Sequence, residues 1–324
     1  MICNIIPQMK RILIIGAGGQ LGSELTLSLR EKLGPDNVLA SDIRPLSGPL
    51  LAGPTTILDA TDARALNSLV ESYEIGQIYH LAAVLSAKGE ASPRFAWDLN
   101  MVSLLNVLEA GKAYGLKIYW PSSIAVFGPD TPRTNTPQTT VMNPNTVYGI
   151  SKLAGERWCE YYHTKYDVDV RSLRYPGLIG YKSKPGGGTT DYAVDIFWKA
   201  LQGEAFECFL REDCMLPMMY MEDAVKGTID LMHAPEESVK VRTSYNLAAM
   251  SFTPGELYEA IKTVFPDFDI QYRPDFRQEI ADSWPDSIDD SAARQDWGWL
   301  PKYDLQSMTQ DILVHLKEQE ALTT

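Results

Sequence analysis

Arg11-Ile-Leu-Ile-Ile-Gly-Ala-Gly-Gly-Gln-Leu-Gly22 is an apolar run that breaks into glycines. It predicts a strand over Arg11–Ile15, a tight turn, and a helix from about Leu21. Gly16 suits the turn, Gly19 a close backbone approach to a pyrophosphate, and Gly22 close packing of helix on strand. The first N–H groups of such a helix point at phosphate. Gly18 allows both common glycine spacings to be read here.

Outward from this turn, the first half alternates β-rich runs with amphipathic ones. Strands are expected at Arg11–Ile15, Val38–Asp42, Thr56–Asp59, Gln77–Ala82, Lys117–Ser122 and Val168–Arg174. Helices are expected at Leu21–Leu33, Asp62–Tyr73, Pro93–Tyr114 and Tyr148–Tyr166. That rhythm predicts an α/β fold built on a doubly wound parallel sheet. Ligands of such sheets bind at the carboxyl ends of the strands. After about Arg174 the rhythm weakens, although Tyr192–Gln202, Met221–Met232 and Pro254–Val264 still read as helices. The expected division is residues 1–175 as a dinucleotide-binding domain and 176–324 as mainly a smaller mixed α/β substrate lobe. Segments near 218–250 are expected to return to the first domain.

The strand ends carry polar residues in suitable places. Asp42 follows Gly22 by twenty residues. A carboxylate there accepts both adenosine ribose hydroxyls and repels a 2′-phosphate, which favours NAD over NADP. The other reading is a turn aspartate capping Ile43-Arg44-Pro45, and Arg44 leaves room for a phosphate. Asp59 reads either as an acceptor for the adenine amino group or as a turn or N-cap residue. His80-Leu-Ala-Ala83 sets small residues where backbone must pass the cofactor, with His80 itself read as a packed strand residue.

Chemistry enters at Tyr148-Gly-Ile-Ser-Lys152, downstream of Pro121-Ser122-Ser123. One helical turn puts a phenol and an ammonium on the same face. A free tyrosine has a pKa of about 10, so a base useful near neutrality needs roughly 4 kcal/mol of help. A cation about 4 Å away at an effective dielectric of about 20 is of that order. A nearby serine hydroxyl then holds the oxygen that loses its proton. The same spacing recurs at Tyr161/Lys165 and Tyr258/Lys262, but only Tyr148 follows a serine-tipped apolar run.

Composition narrows the classes. A net charge of −13 without a basic cluster argues against nucleic acid and anionic membrane as partners. No apolar run reaches the roughly 18 residues of a membrane-spanning helix. Met1–Lys10 has neither a signal nor a transit pattern, so the chain reads as cytoplasmic. Cys3, Cys159, Cys208 and Cys214 show no metal spacing, the four histidines are scattered, and no metal site is expected.

Taken together, Gly16/Gly19/Gly22, Asp42, Asp59, Leu81-Ala82-Ala83, Ser122-Ser123 and Tyr148/Lys152 resemble the extended short-chain dehydrogenase/reductase superfamily, whose cofactor half is a Rossmann domain. The second half is similar to the short-chain type of L-threonine 3-dehydrogenases. The runs that carry this are Leu85-Ser-Ala-Lys-Gly-Glu90, Pro121–Gly128, Leu173–Gly180, Pro185–Tyr192 and Leu216–Met221. The resemblance implies an NAD-dependent oxidation of the L-threonine 3-hydroxyl. It implies Tyr148 as base, Lys152 lowering its pKa and binding the nicotinamide ribose, and Ser123 as the catalytic hydroxyl with Ser122 on the substrate. Ser86, Gly188 and Thr189 become further substrate contacts. The implied cofactor contacts extend to Gln20, Leu21, Ile43, Leu58, Ala60, Tyr175 and Pro176. Asn100 is expected either to steady Lys152 through water or to lie on the helix surface. A homodimer pairing the helices Pro93–Tyr114 and Tyr148–Tyr166 is implied too.

Met218 and Met219 read as a wall beside the substrate methyl group or as plain core. The triple glycine after Pro185 reads as a bending lid or a surface loop. The main rival function is a nucleotide-sugar epimerase or dehydratase, for which Arg211, Arg242, Arg273, Arg277 and Arg294 are available to a diphosphate.

Overall fold

The computed structural model describes residues 10–183 and 188–323. Cys3 and the Lys184–Gly187 stretch, which holds Pro185 and most of the triple glycine, lie outside the described residues.

Seven strands form one sheet in the order β10-β6-β5-β4-β1-β2-β3. These are β1 Arg11–Ile15, β2 Val38–Asp42, β3 Thr55–Ile57, β4 Ile75–His80, β5 Lys117–Ser123, β6 Val170–Tyr175 and β10 Tyr245–Asn246. The registers are parallel, for example Ile12 beside Val38 and Ile15 beside His80. Carboxyl ends therefore share one edge of the sheet. The crossover helices are α1 Gln20–Leu33, α2 Ala63–Ser72, α3 Ser86–Ala91, α4 Pro93–Tyr114 and α5 Val147–Tyr166. Near-continuous apolar strands such as Ile12–Ile15 and Val38–Ala40 are buried, as a sheet covered on both faces requires. The expected doubly wound parallel sheet is the observed one.

Boundaries moved where side chains compete with the ladder. β3 stops at Ile57 because Asp59 turns the chain: its Oδ1 accepts from Thr61 N at 2.9 Å. Asp62 then caps α2 by accepting from Arg64 N and Ala65 N. β4 starts two residues early and ends at His80, leaving Leu81–Ala83 outside the strand.

By backbone proximity the chain forms two compact units. One takes the chain to Ala83 together with Leu99–Trp120 and Arg157–Arg171; the other takes Val84–Asp98, Pro121–Glu156 and everything from Ser172 onward. In the second unit, β7 Gly177–Ile179, β9 Leu216–Tyr220 and β11 Met250–Phe252 form a three-stranded sheet, and β8 Phe206–Cys208 pairs with β12 Ile270–Tyr272. Helix α6 Tyr192–Gln202 packs its apolar face into this unit's core beside Phe206, Leu216 and Leu257.

Candidate active site

The glycine turn closes tightly. Gly16 sits at φ +86°, and a Cβ there would stand 2.7 Å from Ala82 N. Gly16 N and Ala17 N both donate to Ser41 O at 2.9 Å, and Leu81 N donates to Ile15 O at 2.8 Å. Leu81 and Ala82 are thus brought against the turn. Helix α1 opens at Gln20 with Gly19 as N-cap and no side-chain cap. Gly19 brings no side chain to this helix start, which is the arrangement that receives a phosphate.

Asp42 is tied to this turn. Its Oδ2 accepts from Gly18 N at 3.0 Å and its Oδ1 from Arg44 N at 3.3 Å. The Arg44 contact is the expected turn role; the Gly18 contact was not foreseen. Carboxylate oxygens keep further lone pairs for ribose hydroxyls. Ile43 is exposed beside it. Asp59 takes the turn role, with its Oδ1 accepting from Thr61 Oγ1 at 2.7 Å as well as from Thr61 N. Leu58 and Ala60 flank it and are buried. Asn106, on α4, was missed: its Nδ2 donates to Ala60 O and Thr61 O at 3.0 Å each and fixes this strand end. Asn100 is only 7% exposed, so its helix-surface reading fails. His80 is packed, with Nε2 bonded to Ser103 Oγ at 2.9 Å, as expected of a strand residue.

These residues fit a dinucleotide. The turn admits no side chain at Gly16, the helix starts from a glycine, and an acidic acceptor stands at the end of the neighbouring strand.

The proton-handling group lies in the other unit. Tyr148 and Lys152 stand one turn apart in α5. The Ser123 hydroxyl faces the Tyr148 phenol closely enough to draw its pKa downward. Ser123 Oγ also accepts from Ala125 N at 3.2 Å, which holds the serine at the tip of β5. Lys152 Nζ donates to Pro121 O at 2.6 Å and lies 5.5 Å from the centre of the Tyr148 ring.

The expected lowering of the phenol is not present in the chain alone. Burial pushes Tyr148 up to about 12, and the Ser123 hydroxyl pulls only partly back. The physical reason is desolvation of a phenolate whose ring packs on the core.

Ser122 also departs from expectation. Adjacent strand residues face opposite ways, and Ser122 is 2% exposed, with Oγ donating to Glu156 Oε1 at 2.6 Å. Its hydroxyl is committed inward and is not gathered with Ser123 and Tyr148. Ser86 is buried at the start of α3. Thr189 is 1% exposed, and its Oγ1 has no hydrogen-bond partner among the described residues. Gly188 N donates to Asp191 Oδ2 at 2.8 Å. Tyr175 and Pro176 are buried, with the Tyr175 hydroxyl bonded to Thr228. Met218 and Met219 are fully buried in β9, in keeping with the core reading.

Residues 12–248 match the family described as "NAD dependent epimerase/dehydratase". The chain belongs to that family. A "GalE-like L-Threonine dehydrogenase" from Cupriavidus necator in its holo form superposes with a TM-score of 0.93 at 57% identity, covering 94% of this chain and 99% of that one. The L-threonine dehydrogenase of Phytophthora infestans gives 0.93 at 46% identity, over 96% and 100%. Among curated relatives, an uncharacterized epimerase/dehydratase of Staphylococcus aureus (strain MRSA252) is 48% identical over 97% of this chain and 99% of its own length. This family member is therefore an NAD-dependent enzyme with a Rossmann-like fold, and the expected likeness to threonine dehydrogenases holds. No helix among the described residues is long and apolar enough to cross a membrane.

Proposed function

We propose that this enzyme oxidises the 3-hydroxyl of L-threonine to give 2-amino-3-oxobutyrate and NADH. The observation that carries the reading is the Ser123–Tyr148 hydroxyl pair, set beside Lys152, in a chain this similar to threonine dehydrogenases along nearly its whole length.

Bound by the cradle, NAD supplies the acceptor for the hydride that leaves C3. The backbone at Gly16, Gly19, Gln20, Leu21 and Gly22 holds the pyrophosphate. Asp42 and Ile43 take the adenosine ribose, Leu58, Asp59 and Ala60 the adenine side, and Leu81–Ala83, Asn100, Tyr175 and Pro176 the remainder. Ser123 orients the substrate oxygen and Tyr148 accepts its proton. Lys152 lends positive charge beside the phenol and a donor to the nicotinamide ribose. Ser86, Gly188 and Thr189 hold the amino and carboxylate ends, which the spare hydroxyl of Thr189 supports. On this reading residues up to 175 serve mainly the cofactor and 176–324 mainly the substrate.

The nucleotide-sugar reading loses support. The five arginines it needs each stand against a carboxylate: Arg211 by Asp282, Arg242 by Glu236, Arg273 by Glu207, Arg277 by Asp275 and Arg294 by Asp290. Absorbance of NADH with L-threonine, against UDP-sugars as the contrasting substrates, decides between the two.

A second copy of the chain is part of the proposal. Phe95, Trp97 and Val102 on α4 and Ile150, Trp158 and Tyr161 on α5 are exposed side chains that a second copy would cover. One similar structure is that of a monomeric L-threonine 3-dehydrogenase, and sedimentation at assay concentration tells which state holds here. Cytoplasmic residence fits Cys159, Cys208 and Cys214, all buried and unbridged.

The pH profile has a definite sign. With the phenol raised to about 12, only its rare ionised form accepts a proton near neutrality. The rate should rise about tenfold per pH unit through the neutral range and level only where the phenol of the working complex titrates. A profile already flat from pH 6 upward would exclude Tyr148 as the titrating base.

Asp42→Ala should weaken NAD and narrow its preference over NADP, because the ribose loses its acceptor and Gly18 N its partner. Titration of both cofactors reads the ratio; if it does not move, the ribose is held elsewhere.

A further inference from the structure

Three side chains on one stripe of helix α5 face the tip of β5. Tyr148, Lys152 and Glu156 follow one another at four-residue spacing: Tyr148 lies toward Ser123, Lys152 donates to Pro121 O and Glu156 accepts from Ser122. The third contact differs in kind. Glu156 is fully buried and carries a charge, and the group that answers it is the Arg174 guanidinium on β6, 2% exposed. The pairing is two-pronged: Arg174 Nε to Glu156 Oε1 at 2.8 Å and Nη2 to Oε2 at 2.7 Å. Arg174 Nη1 also donates to Gln138 O and Asn246 Oδ1, both at 3.0 Å. Asn246 is held in turn by Gln138, whose Oε1 accepts from Asn246 N at 2.8 Å.

Such a pair is a poor way to gain stability. Removing two charges from water costs about what their attraction returns, and well-packed apolar residues often serve as well. What it does supply is direction. A planar guanidinium fork accepts a carboxylate in one plane, so the helix, β5 and β6 share one register at Glu156. The residue it grips on β5 is the immediate neighbour of Ser123.

Resting on the threonine-oxidising reading, we propose that Glu156 and Arg174 are positioning residues: through Ser122 they fix the backbone from which Ser123 meets the Tyr148 phenol. Neither touches the reacting atoms. Their effect is on the geometry in which the proton leaves.

Glu156→Gln keeps an acceptor for Ser122 but loses the charge, and the paired change Glu156→Gln/Arg174→Met removes the stranded cation as well. The expected result is a kcat lowered about tenfold to a hundredfold in both, with the KM for NAD little changed, the size expected when a reacting group is displaced by about an ångström. The paired change removes the stranded cation but also the bonds to Gln138 O and Asn246 Oδ1, and it should not recover kcat whatever its thermal stability. If stability and kcat return together, the pair only holds the fold, and the proposal fails. It fails also if folded Glu156→Gln keeps a wild-type kcat. A readout without substrate accompanies these: with ring-labelled tyrosine, the carbon-13 signal assigned to Tyr148 through Tyr148→Phe should move in both variants as the Ser123 hydroxyl shifts relative to the ring. An unmoved signal overturns the positioning role. A wild-type protein that makes no NADH from L-threonine counts against the substrate alone, because the Tyr148 signal still decides this inference.

Discussion

Tyr148→Phe should reduce kcat about a thousandfold, within the range that general acid–base groups contribute. That is roughly 4 kcal/mol of barrier. The exchange is clean in other respects. The ring keeps its packing on the core of the second unit, and only the hydroxyl that meets Ser123 is deleted. The glycine turn and Asp42 are untouched by the exchange, so NAD affinity should change little. Tyr161→Phe is the matched control. Tyr161 has the same spacing to a lysine on the same helix, but it is exposed and stacks edge-on with Trp158 and Tyr166 at 5.8 Å. It should leave kcat as it is. Stopped-flow NADH formation with saturating cofactor reads both, and a Tyr148→Phe enzyme retaining more than about a tenth of wild-type kcat would remove the phenol from proton transfer.

How much of this was readable from the chain depended on whether the signal was local. The turn at Gly16–Gly22, the bounds of β1, β2 and α4, and the order of alternating elements are local consequences of glycine placement and apolar periodicity. Those features are written into adjacent residues. Tyr148 beside Ser123 was legible because a spacing and a strand tip each left a mark. The role of Ser122 was not legible. Two adjacent serines look alike in sequence, and only the strand's alternation sends one to Tyr148 and the other to Glu156. Arg174 was passed over for a similar reason. It reads as an ordinary strand residue, and its partners Glu156, Gln138 and Asn246 come from three separate segments. Glu156 did carry a faint signal, since it continues the Tyr148–Lys152 stripe by one more turn. The phenol's upward pKa was beyond reach as well, because desolvation depends on packing and not on spacing.

Gly22→Ala should cost the enzyme its cofactor. A Cβ at position 22 would fall inside the van der Waals surface of Gly16 O and 3.0 Å from Ala17 Cα, both main-chain atoms. They cannot yield easily. Gly16 N and Ala17 N are both held by Ser41 O at 2.9 Å, and Gly19 N returns to Gly16 O at 3.2 Å. Relief requires α1 to lift from the turn, which spoils the alignment of its first N–H groups with a pyrophosphate. Alanine brings back only about 0.5–1 kcal/mol of helix preference over glycine. Overpacking of this kind typically costs about 1–3 kcal/mol. A loss of about 2 kcal/mol in binding corresponds to roughly a thirtyfold rise in Kd. Calorimetric titration with NAD on variant protein of native circular dichroism measures it directly. Tyr148 and Ser123 belong to the other unit and keep their local setting, so substrate turnover at very high NAD should recover. A Gly22→Ala protein that binds NAD as tightly as the wild type would show that the dinucleotide does not rest on this helix start.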